Sequence, residues 1–575
     1  MKKPSNWRIN TILIIAIILG AAIASRLFFL QILDRKHLKA EALGQQVDFN
    51  SVTGPRGQIF CEDSQNTKGG SGSGELKSFA INKDDWIITA NPSQIADKQN
   101  FADILSKNIN QTKDQILTEL SSSDSYAIIE KDSPPQEITK IKTLNLKGLS
   151  WQNIPDRYYP QGTMASQVLG FLGGQGNGQY GLEGYYDSIL AGKSGVQEER
   201  SGLDSIFSGD NQGSLDGSDI YSTIDYNIQF QAEAFLQEEQ KKDDIDAGQI
   251  IVMKPDTGRI LALANFPSFD PNNYGKEKDL EIFQDSAVQK LFEPGSIMKP
   301  FTMAAALNEG KITPNTTYVD TGVVSFGTKQ IHNFANEVYG KQTMTQVLES
   351  SINTGAVFAE QQIPHKTFAD YLDKFGFDEK TGINLQGEVY SRNSQLINGP
   401  DINYATAAFG QGIELTPLQI ARGFCAIANG GRLVKPYIVE RIVNGSDETD
   451  TQPEISDPVV SKETISQLTS MLISVVDKGF NGVAKIPGYY LAGKTGTAQI
   501  PLLNGKGYKP DTNTIQSFVG YGPAYNPQFL ILVKLDNPKV PKSALSAVPV
   551  FKKLAQYIIN YWKIPPDYEA SKPQK

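Results

Sequence analysis

The sequence is poor in the side chains that most often build metal sites and histidine-based catalytic sites. Its 575 residues include only two cysteines, Cys61 and Cys425, and three histidines, His37, His332 and His365. Two cysteines are too few for a cluster of thiolate ligands, and whether they form a disulfide stays open. The isolated histidines offer little material for a Ser-His-Asp triad or a zinc site. If the protein is a hydrolase or an acyltransferase, we expect its general base to be another residue.

An excess of positive charge is also missing. The formal net charge is -9, and no segment carries a stripe of lysine and arginine residues. This charge gives no electrostatic reason to expect nucleic acid as a partner. Hydrophobic residues make up 39% and charged residues 20% of the chain, which is typical of folded proteins, and the length suggests two to four domains.

Long apolar runs are absent except at the N-terminus, where residues 9–33 contain TILIIAIILGAAIAS and LFFLQIL around Arg26. This stretch is long enough for one transmembrane helix, and the basic residues ahead of it place residues 1–8 in the cytoplasm. The alternative is a cleaved signal peptide with its site near 22–24, but the apolar character continues beyond that point. In both cases the rest of the chain is exported, and we expect a single-pass protein of the cytoplasmic membrane.

Turn-rich segments divide the exported part. Residues 34–217 alternate short apolar runs with clusters of glycine, serine and asparagine, and we interpret them as a mixed α+β pedestal. The turn-rich residues 202–218 lead into a second domain, 218–565, followed by a tail, 566–575.

The second domain has strand patterns at its two ends. Residues 249–253 and 259–266 are apolar runs joined by a turn, which predicts a hairpin. Residues 489–492, 517–521 and 529–535 predict three more strands, and 550–562 a closing helix with Pro549 at its start. Because 297–473 is mostly helical and loop-like, we expect an α/β fold with a mainly antiparallel sheet, flanking helices and an inserted helical subdomain.

A serine with a lysine three positions later is the first chemical signal. Ser296 follows Pro-Gly, and Lys299 begins an apolar helical pattern. The serine could be an ordinary helix cap. However, positions i and i+3 share a helix face, so the lysine could take the serine proton if burial lowers its pKa.

Two later motifs complete a set. Ser351-Ile352-Asn353 offers a hydroxyl and an amide that could relay a proton and hold a peptide backbone. Lys494-Thr495-Gly496-Thr497 follows an apolar run and offers a cation, hydroxyls and a glycine that permits close backbone approach. A second K-T-G, at 380–382, follows a turn-like segment, and we interpret it as a loop.

The ordered set S-x-x-K, S-x-N and K-T-G is typical of penicillin-binding proteins and serine β-lactamases. The sequence resembles a class B penicillin-binding protein along nearly its whole length, in segments 54–59, 157–162, 181–184, 223–225, 247–271, 410–412, 416–419 and 517–520. It departs from the family at 60–63, where FCED replaces the usual Asp-Arg-Asn-Gly, and at 297–298 between the serine and lysine. The segments around 494–499, 517–521 and 536–538 resemble the septal or sporulation branch.

The resemblance implies a reaction and a role for each motif residue. Ser296 would attack a peptidoglycan stem peptide ending in D-Ala-D-Ala, with Lys299 as base, and β-lactams would acylate the same serine. Ser351 would pass a proton to the leaving D-Ala, and Asn353 would hold the donor. Lys494, Thr495 and Thr497 would bind the substrate carboxylate, and Gly496 would belong to the same substrate-binding strand. The backbone N–H groups of Ser296 and Thr497 would form the oxyanion hole.

The resemblance also implies partners and leaves several alternative functions. The substrates are peptidoglycan stem peptides, a membrane glycosyltransferase would be the partner, and neither a metal nor a diffusible cofactor is needed. A D,D-carboxypeptidase, a β-lactamase, a β-lactam sensor or a silent scaffold would retain some or all of the motifs. The pedestal and the anchor argue against a β-lactamase, and the short N-terminal tail argues against a sensor.

Overall fold

The computed structural model describes residues 50–63, 75–122, 125–197, 216–500, 502, 507–508 and 513–569. The chain divides into two compact units, one of Met1–Arg56 with Ala191–Gly217, and one of Gly57–Leu190 with Ser218–Lys575. The predicted anchor, 9–33, and the last residues of the tail lie outside the described residues. Among the helices that are described, none has the length and apolar character needed to cross a membrane.

In the described residues, strands come both singly and in runs between the helices. The strands are β1 (Asn50–Thr53), β2 (Ile59–Asp63), β3 (Glu75–Ala90), β4 (Ala127–Ser133), β5 (Leu149–Tyr158), β6 (Phe171–Leu172), β7 (Gly178–Gln179), β8 (Ser194–Gln197), β9 (Asp219–Asp225), β10 (Ala247–Met253), β11 (Ile260–Phe266), β12 (Thr317–Asp320), β13 (Val323–Phe326), β14 (Lys329–His332), β15 (Gly340–Thr343), β16 (Arg432–Val434), β17 (Val439–Asn444), β18 (Asp447–Asp450), β19 (Ile455–Pro458), β20 (Ala492–Gln499), β21 (Thr514–Gly522) and β22 (Phe529–Asp536). The α-helices are α1 (Lys98–Leu105), α2 (Lys113–Ser122), α3 (Pro135–Thr143), α4 (Ser166–Leu169), α5 (Gly181–Tyr185), α6 (Asp187–Leu190), α7 (Tyr226–Asp243), α8 (Ser286–Gln289), α9 (Lys299–Asn308), α10 (Met344–Glu349), α11 (Asn353–Glu360), α12 (His365–Lys374), α13 (Asp401–Ala407), α14 (Pro417–Ala428), α15 (Lys462–Lys478) and α16 (Ala547–Tyr561). Short 3₁₀ turns cover Pro92–Gln94, Pro271–Lys276, Leu280–Phe283, Gly295–Met298, Phe334–Asn336, Ser394–Leu396, Gly479–Gly482 and Ser543–Leu545.

In the smaller unit, the described residues form one ladder. Strands β1 and β8 pair antiparallel, with Asn50 opposite Gln197 and Thr53 opposite Ser194.

A five-stranded antiparallel sheet forms the centre of the larger unit. Its order is β11-β10-β22-β21-β20, which confirms the predicted α/β fold with strands from both ends of the domain. Alternate residues of a strand face opposite sides: Ile250 and Val252 belong to one hydrophobic cluster, and Ile251 and Met253 to another. Both faces are therefore buried, which explains the continuous apolar runs in the sequence. Each fully buried aliphatic side chain of this kind contributes about 1.5–3 kcal/mol of transfer free energy.

Helices cover both faces of this sheet. On one face, α7 and α16 supply Ile228, Leu236 and Leu554 to the shared core. On the other face, α14 begins with a capping box, in which Thr416 accepts from the Gln419 amide and Gln419 accepts from the Thr416 amide. Pro417 occupies the first turn, where no amide donor is needed. The T-P-L-Q segment thus fixes where this helix starts.

A second sheet joins the N-terminal part of the unit to the rest. Its seven strands follow the order β18-β17-β9-β2-β3-β4, with β5 paired to β3, and only the β2–β9 pair is parallel. A buried ion pair supports this region: Arg157 donates to Glu183 Oε1 at 2.6 Å and to the carbonyl of Gly57 at 2.8 Å. Tyr159 also donates to Glu183, at 3.3 Å. These contacts join Gly57, two residues before β2, to β5 and α5.

Two predicted boundaries were wrong. Residues 489–491 lie before β20, so Lys494-Thr495-Gly496-Thr497 stands inside this strand and not after one. The closing helix begins at Ala547, and Pro549 is its third residue, where its missing amide hydrogen breaks no helical hydrogen bond. The segment 297–473 contains the predicted helices, but it also holds the short ladders β12–β15, β13–β14 and β16–β19.

Candidate active site

The nucleophile candidate lies on a tight turn at the entrance to a buried helix. Ser296 is in the 3₁₀ turn Gly295–Met298, directly before α9. Gly295 has φ 59°, in the left-handed region that glycine adopts without strain. Ser296 stays partly exposed, whereas Ile297, Met298 and Lys299 are fully buried. The turn therefore presents the serine hydroxyl to the solvent side and directs the lysine inward.

The second motif lies against this lysine. Ser351 joins α10 to α11 and has φ 55°, an uncommon conformation for serine. Lys299 Nζ donates to the Ser351 carbonyl, to Ser351 Oγ at 3.3 Å and to Asn353 Oδ1 at 2.9 Å. The amine of Lys299 thus holds both polar residues of the S-x-N segment.

The third motif reaches the same hydroxyl from the sheet. Lys494 Nζ donates to Ser351 Oγ at 2.9 Å and to the Thr495 carbonyl and hydroxyl oxygens at 3.1 Å each. Thr495 and Thr497 line the cleft that also contains Ser296 and Ser351. The structure therefore brings together the residues that the sequence placed in the site, with the Ser351 hydroxyl between the two lysines.

Gly496 allows the sheet and the nucleophile turn to approach closely. A methyl group at this position would lie 2.3 Å from Ser517 Oγ, 3.0 Å from Ile297 Cγ2 and 3.2 Å from the Pro294 carbonyl oxygen. Such distances leave no room for a side chain unless the turn or Ser517 moves. Glycine in the K-T-G motif is thus a packing requirement of the site.

Burial perturbs both lysines. Burial, together with the nearby charge of Lys494, lowers the pKa of Lys299 well below its ordinary value. Burial also lowers the pKa of Lys494 to about 7. Removing an ammonium group from water disfavours its charged form, and no carboxylate hydrogen-bonds to either amine in the described residues. The site therefore favours neutral amines, one of which can accept a proton.

One expected contact differs. In the part of the chain that the structure describes, no hydrogen bond joins Lys299 Nζ to Ser296 Oγ. The amine is instead directed to Ser351 and Asn353, which supply three acceptors to a group without access to water. Catalytic hydrogen bonds often tighten only when substrate is bound.

The cleft has a volume of about 600 Å³ and includes Gln411 of the resembling segment 410–412, as well as residues that the sequence did not single out. Gln411 Nε2 donates to Gln499 Oε1 at 3.3 Å, from the loop after α13 to the end of β20. Phe334, Glu337, Phe480 and Lys542 also line the cleft. They come from distant loops that carry no motif, so only the folded chain reveals them.

A polar network behind Asn353 was also missed. Thr354 donates to Asp320 Oδ1 at 2.5 Å, and its amide donates to Asn333 Oδ1 at 3.1 Å. Burial raises the pKa of Asp320, but the hydrogen bonds from Thr354 and its other donors outweigh burial and lower it overall. This network fixes the start of α11, which carries Asn353.

The G-Q-G segment supports the nucleophile turn. The Gly295 amide donates to the Gly410 carbonyl at 2.9 Å, and the Gly412 amide donates to Glu293 Oε1 at 3.0 Å. Burial raises the pKa of the Glu293 carboxyl. The G-Q-G segment therefore contacts Glu293 and Gly295, the two residues that flank Pro294 ahead of Ser296.

The second K-T-G is a loop, as predicted. The Thr381 amide and hydroxyl both donate to Glu388 Oε1, at 2.7 and 2.5 Å, and Thr381 is buried. Its hydroxyl is committed to this structural contact. The cysteine question also has an answer, since Cys61 and Cys425 are both buried and unpaired.

Comparison with known proteins agrees with this geometry. Residues 248–556 match the penicillin-binding protein transpeptidase domain, and residues 52–221 match the penicillin-binding protein dimerisation domain. Stage V sporulation protein D of Bacillus subtilis is 31% identical over 475 residues, covering 80% of this chain and 73% of that protein. Penicillin-binding protein PbpB of Mycobacterium tuberculosis is 28% identical over 588 residues, covering 96% of this chain and 84% of that protein.

Solved structures carry the same fold. Penicillin-binding protein 3 of Mycobacterium tuberculosis, complexed with aztreonam, superposes with a TM-score of 0.68 at 25% identity, covering 92% of this chain and all of that one. Penicillin-binding protein 2X of Streptococcus thermophilus gives a TM-score of 0.75 at 23% identity, over 90% of this chain and 81% of that one, and supports the fold alone. The chain belongs to the class B penicillin-binding proteins, the peptidoglycan D,D-transpeptidases of cell-wall synthesis, and falls in their division and sporulation branch.

Proposed function

We propose that Ser296 is the nucleophile of this D,D-transpeptidase and that Lys299 is its general base. The observation that supports this most directly is the convergence of Lys299 and Lys494 on the hydroxyl of Ser351, beside Ser296 in one cleft. A serine hydroxyl becomes a strong nucleophile only when a neighbouring base takes its proton. The lowered pKa of Lys299 supplies a neutral amine for that step.

Acylation follows from these positions. Lys299 Nζ takes the Ser296 proton as Oγ attacks the carbonyl carbon of the penultimate D-Ala. The bond from this carbon to the nitrogen of the terminal D-Ala then breaks. Ser351, hydrogen-bonded to both lysines, passes a proton to the departing amine, and the D-Ala leaves. The donor peptide remains as an ester on Ser296.

Binding and charge stabilisation come from the strand and the S-x-N segment. Thr495 and Thr497 bind the substrate carboxylate with Lys494, whose charged form this anion favours. Asn353 holds the donor backbone. The backbone amides of Ser296 and Thr497 form the oxyanion hole, a contribution worth roughly 3–4 kcal/mol per donor in comparable sites.

An amine from a second stem peptide completes the cross-link. It attacks the ester carbonyl, loses a proton to the site, and releases Ser296 with its hydroxyl restored. β-Lactams acylate Ser296 in the same way. No step requires a metal ion, since Lys299 and Ser351 move every proton.

We propose that the remaining parts of the chain keep this chemistry outside the cell. Residues 1–8 form a cytoplasmic tail, 9–33 a single membrane anchor, 34–217 the pedestal, 218–565 the transpeptidase domain and 566–575 a tail. This arrangement puts Ser296 on the outer side of the cytoplasmic membrane, next to its peptidoglycan substrate. A membrane glycosyltransferase supplies the glycan strands.

An exchange assay separates transpeptidation from hydrolysis. The full-length protein in detergent is given a peptide ending in D-Ala-D-Ala and a labelled D-amino acid as acceptor. We expect labelled peptide to form with release of D-Ala, and no labelled peptide to form with Ser296→Ala. Release of D-Ala without labelled peptide would make the protein a D,D-carboxypeptidase, and labelled peptide formed by Ser296→Ala would remove Ser296 from the reaction.

A further inference from the structure

Two opposite charges lie on the rim of the active-site cleft without neutralising each other. Lys542 and Glu337 both line the cleft that contains Ser296. Lys542 lies over the ring of Phe334 at 5.6 Å, and Glu337 accepts a hydrogen bond from Tyr339 Oη. Neither charge has a salt-bridge partner in the described ranges. The rim therefore presents one cation and one anion to whatever occupies the cleft.

These two residues are held in place from opposite sides. The loop of Lys542 is attached to β21, where Gln516 donates to the Val540 carbonyl at 2.5 Å and accepts from Ser546 Oγ at 2.6 Å. Glu337 follows the 3₁₀ turn Phe334–Asn336, and its amide donates to the Phe334 carbonyl at 3.2 Å. Because Lys542 also contacts Phe334, both charges lie at the same part of the rim.

The position of Lys542 relative to β20 determines which part of the substrate lies near Lys542. The leaving D-Ala lies near Ser351 and Lys494, at the N-terminal end of β20, if the proposed function is correct. Gln499, at the other end of this strand, is opposite Thr514, and both line the cleft. The turn Ser543–Leu545 packs against β20 and β21. Gln516, which holds the loop of Lys542, is opposite Thr497 in the C-terminal half of β20. We infer from this position that the acyl part of the donor that stays on Ser296 extends toward Lys542.

We propose that Lys542 and Glu337 recognise a zwitterionic side chain on the donor residue that precedes D-Ala-D-Ala. The side chain would end in an amino group and a carboxylate on one carbon, as in a diamino dicarboxylic acid. The carboxylate pairs with Lys542 and the ammonium with Glu337. A side chain with one charge leaves one rim residue unpaired, and a neutral one leaves both unpaired, which is how the cleft discriminates.

Three cephalosporins with the same nucleus test this inference, which rests on the proposed function. Their acyl side chains are aminoadipyl, adipyl and pentanoyl, so they are zwitterionic, anionic and neutral at similar length. The second-order rate constant for acylation is measured with the full-length protein in detergent. We expect the aminoadipyl compound to react about tenfold faster than the pentanoyl compound, equivalent to one good charged contact.

Variants assign the preference to the two residues. Lys542→Met should bring the aminoadipyl-to-pentanoyl ratio close to one and should also remove any adipyl preference. Glu337→Gln should lower the aminoadipyl-to-pentanoyl ratio of acylation rate constants. It should leave the adipyl-to-pentanoyl ratio unchanged. Lys539→Met removes an exposed charge from the same loop outside the cleft, and the ratios should stay as in the parent.

Two outcomes would overturn the inference alone. One is an aminoadipyl-to-pentanoyl ratio near one in the parent. The other is an equal loss of this ratio in Lys539→Met and Lys542→Met, which would indicate a long-range field instead of contact. Failure of the parent to react with any of the three compounds would overturn the proposed function as well.

Discussion

At the scale of single residues, the buried lysines of the proposed site and the backbone conformation of Ser351 lower the stability of the fold. Lys299 and Lys494 are fully buried amines, and Ser351 holds a left-handed conformation between them. A buried lysine destabilises the folded protein because the unfolded chain keeps its amine charged and hydrated. A non-glycine residue in this backbone region costs roughly a further 1 kcal/mol or more. The proposed catalytic residues therefore lower the stability of the fold.

The pH dependence of stability measures this cost for Lys494. Its pKa is about 7 in the folded protein and 10.5 when unperturbed. Between these values the unfolded chain binds more protons, so the stability of the parent rises with pH, by up to about 1.4 kcal/mol per pH unit. Lys494→Met lacks this contribution. We expect the difference in unfolding free energy between parent and variant to shift in favour of the parent from pH 7 to 9.

Thermal or denaturant unfolding at several pH values checks this expectation. Lys539→Met is the matched control, because it removes an exposed lysine and should follow the parent. Parallel curves for the parent and Lys494→Met would show that the amine keeps an ordinary pKa in the fold.

The sequence predicted some of these residues better than others. Ser296, Lys299, Ser351, Asn353 and Lys494 could be found because a fixed spacing placed each in a motif. Lys542 and Glu337 could not, because each is a single polar residue in a loop, and only the fold brings them to the cleft. The Asp320–Asn333–Thr354 network was missed for the same reason.

Among the elements, β20 is the one on which the site depends most. It is an edge strand of the central sheet, and residues 494–497 lie within it, opposite 516–519 of β21. The sequence placed the strand earlier because 489–492 are apolar and the motif contains glycine and threonine. Pairing with β21 overrides that local preference. By contrast, the hairpin β10–β11 was predicted correctly, since its apolar runs and its turn agree.

Gly496→Ala tests the close approach of β20 to the nucleophile turn. The added methyl group would lie 2.3 Å from Ser517 Oγ and 3.0 Å from Ile297 Cγ2, next to Ser296, so Ser517 or the turn must move. A displacement of about 1 Å can lower catalysis roughly 100-fold. We expect the rate constant for acylation by penicillin to fall at least about tenfold while the protein stays folded.

Gly275→Ala provides the control, because no atom lies within 4 Å of the added methyl group. Its acylation rate should match that of the parent. An unchanged rate in Gly496→Ala would mean that the sheet and the turn are not tightly packed at this point.

In the whole molecule, the larger unit contains two main sheets. The seven-stranded sheet takes β2, β3, β4 and β5 from before the predicted boundary at 217 and β9, β17 and β18 from after it. The sequence could not reveal this, because strand partners so far apart leave no periodic signal. The family matches cover 52–221 and 248–556, so this sheet draws strands from both matched regions.

Attachment of the whole molecule to the membrane is proposed to depend on residues 9–33. If residues 9–33 form an uncleaved anchor, the full-length protein should sediment with membranes and remain there at alkaline pH. A chain that begins at residue 34 should be soluble. Immunoblotting of the fractions distinguishes these states, with a known integral membrane protein as the reference. Release of the full-length protein at alkaline pH, or a shorter mature protein, would contradict the anchor.

Mapping the penicillin adduct would identify the nucleophile. The full-length protein is incubated with a labelled penicillin, digested and analysed by mass spectrometry, beside Ser296→Ala and the control Ser350→Ala. We expect one adduct, on Ser296, that is absent only in Ser296→Ala and that is hydrolysed slowly. An adduct on another residue, or none in folded protein, would contradict the assignment of Ser296 as the nucleophile.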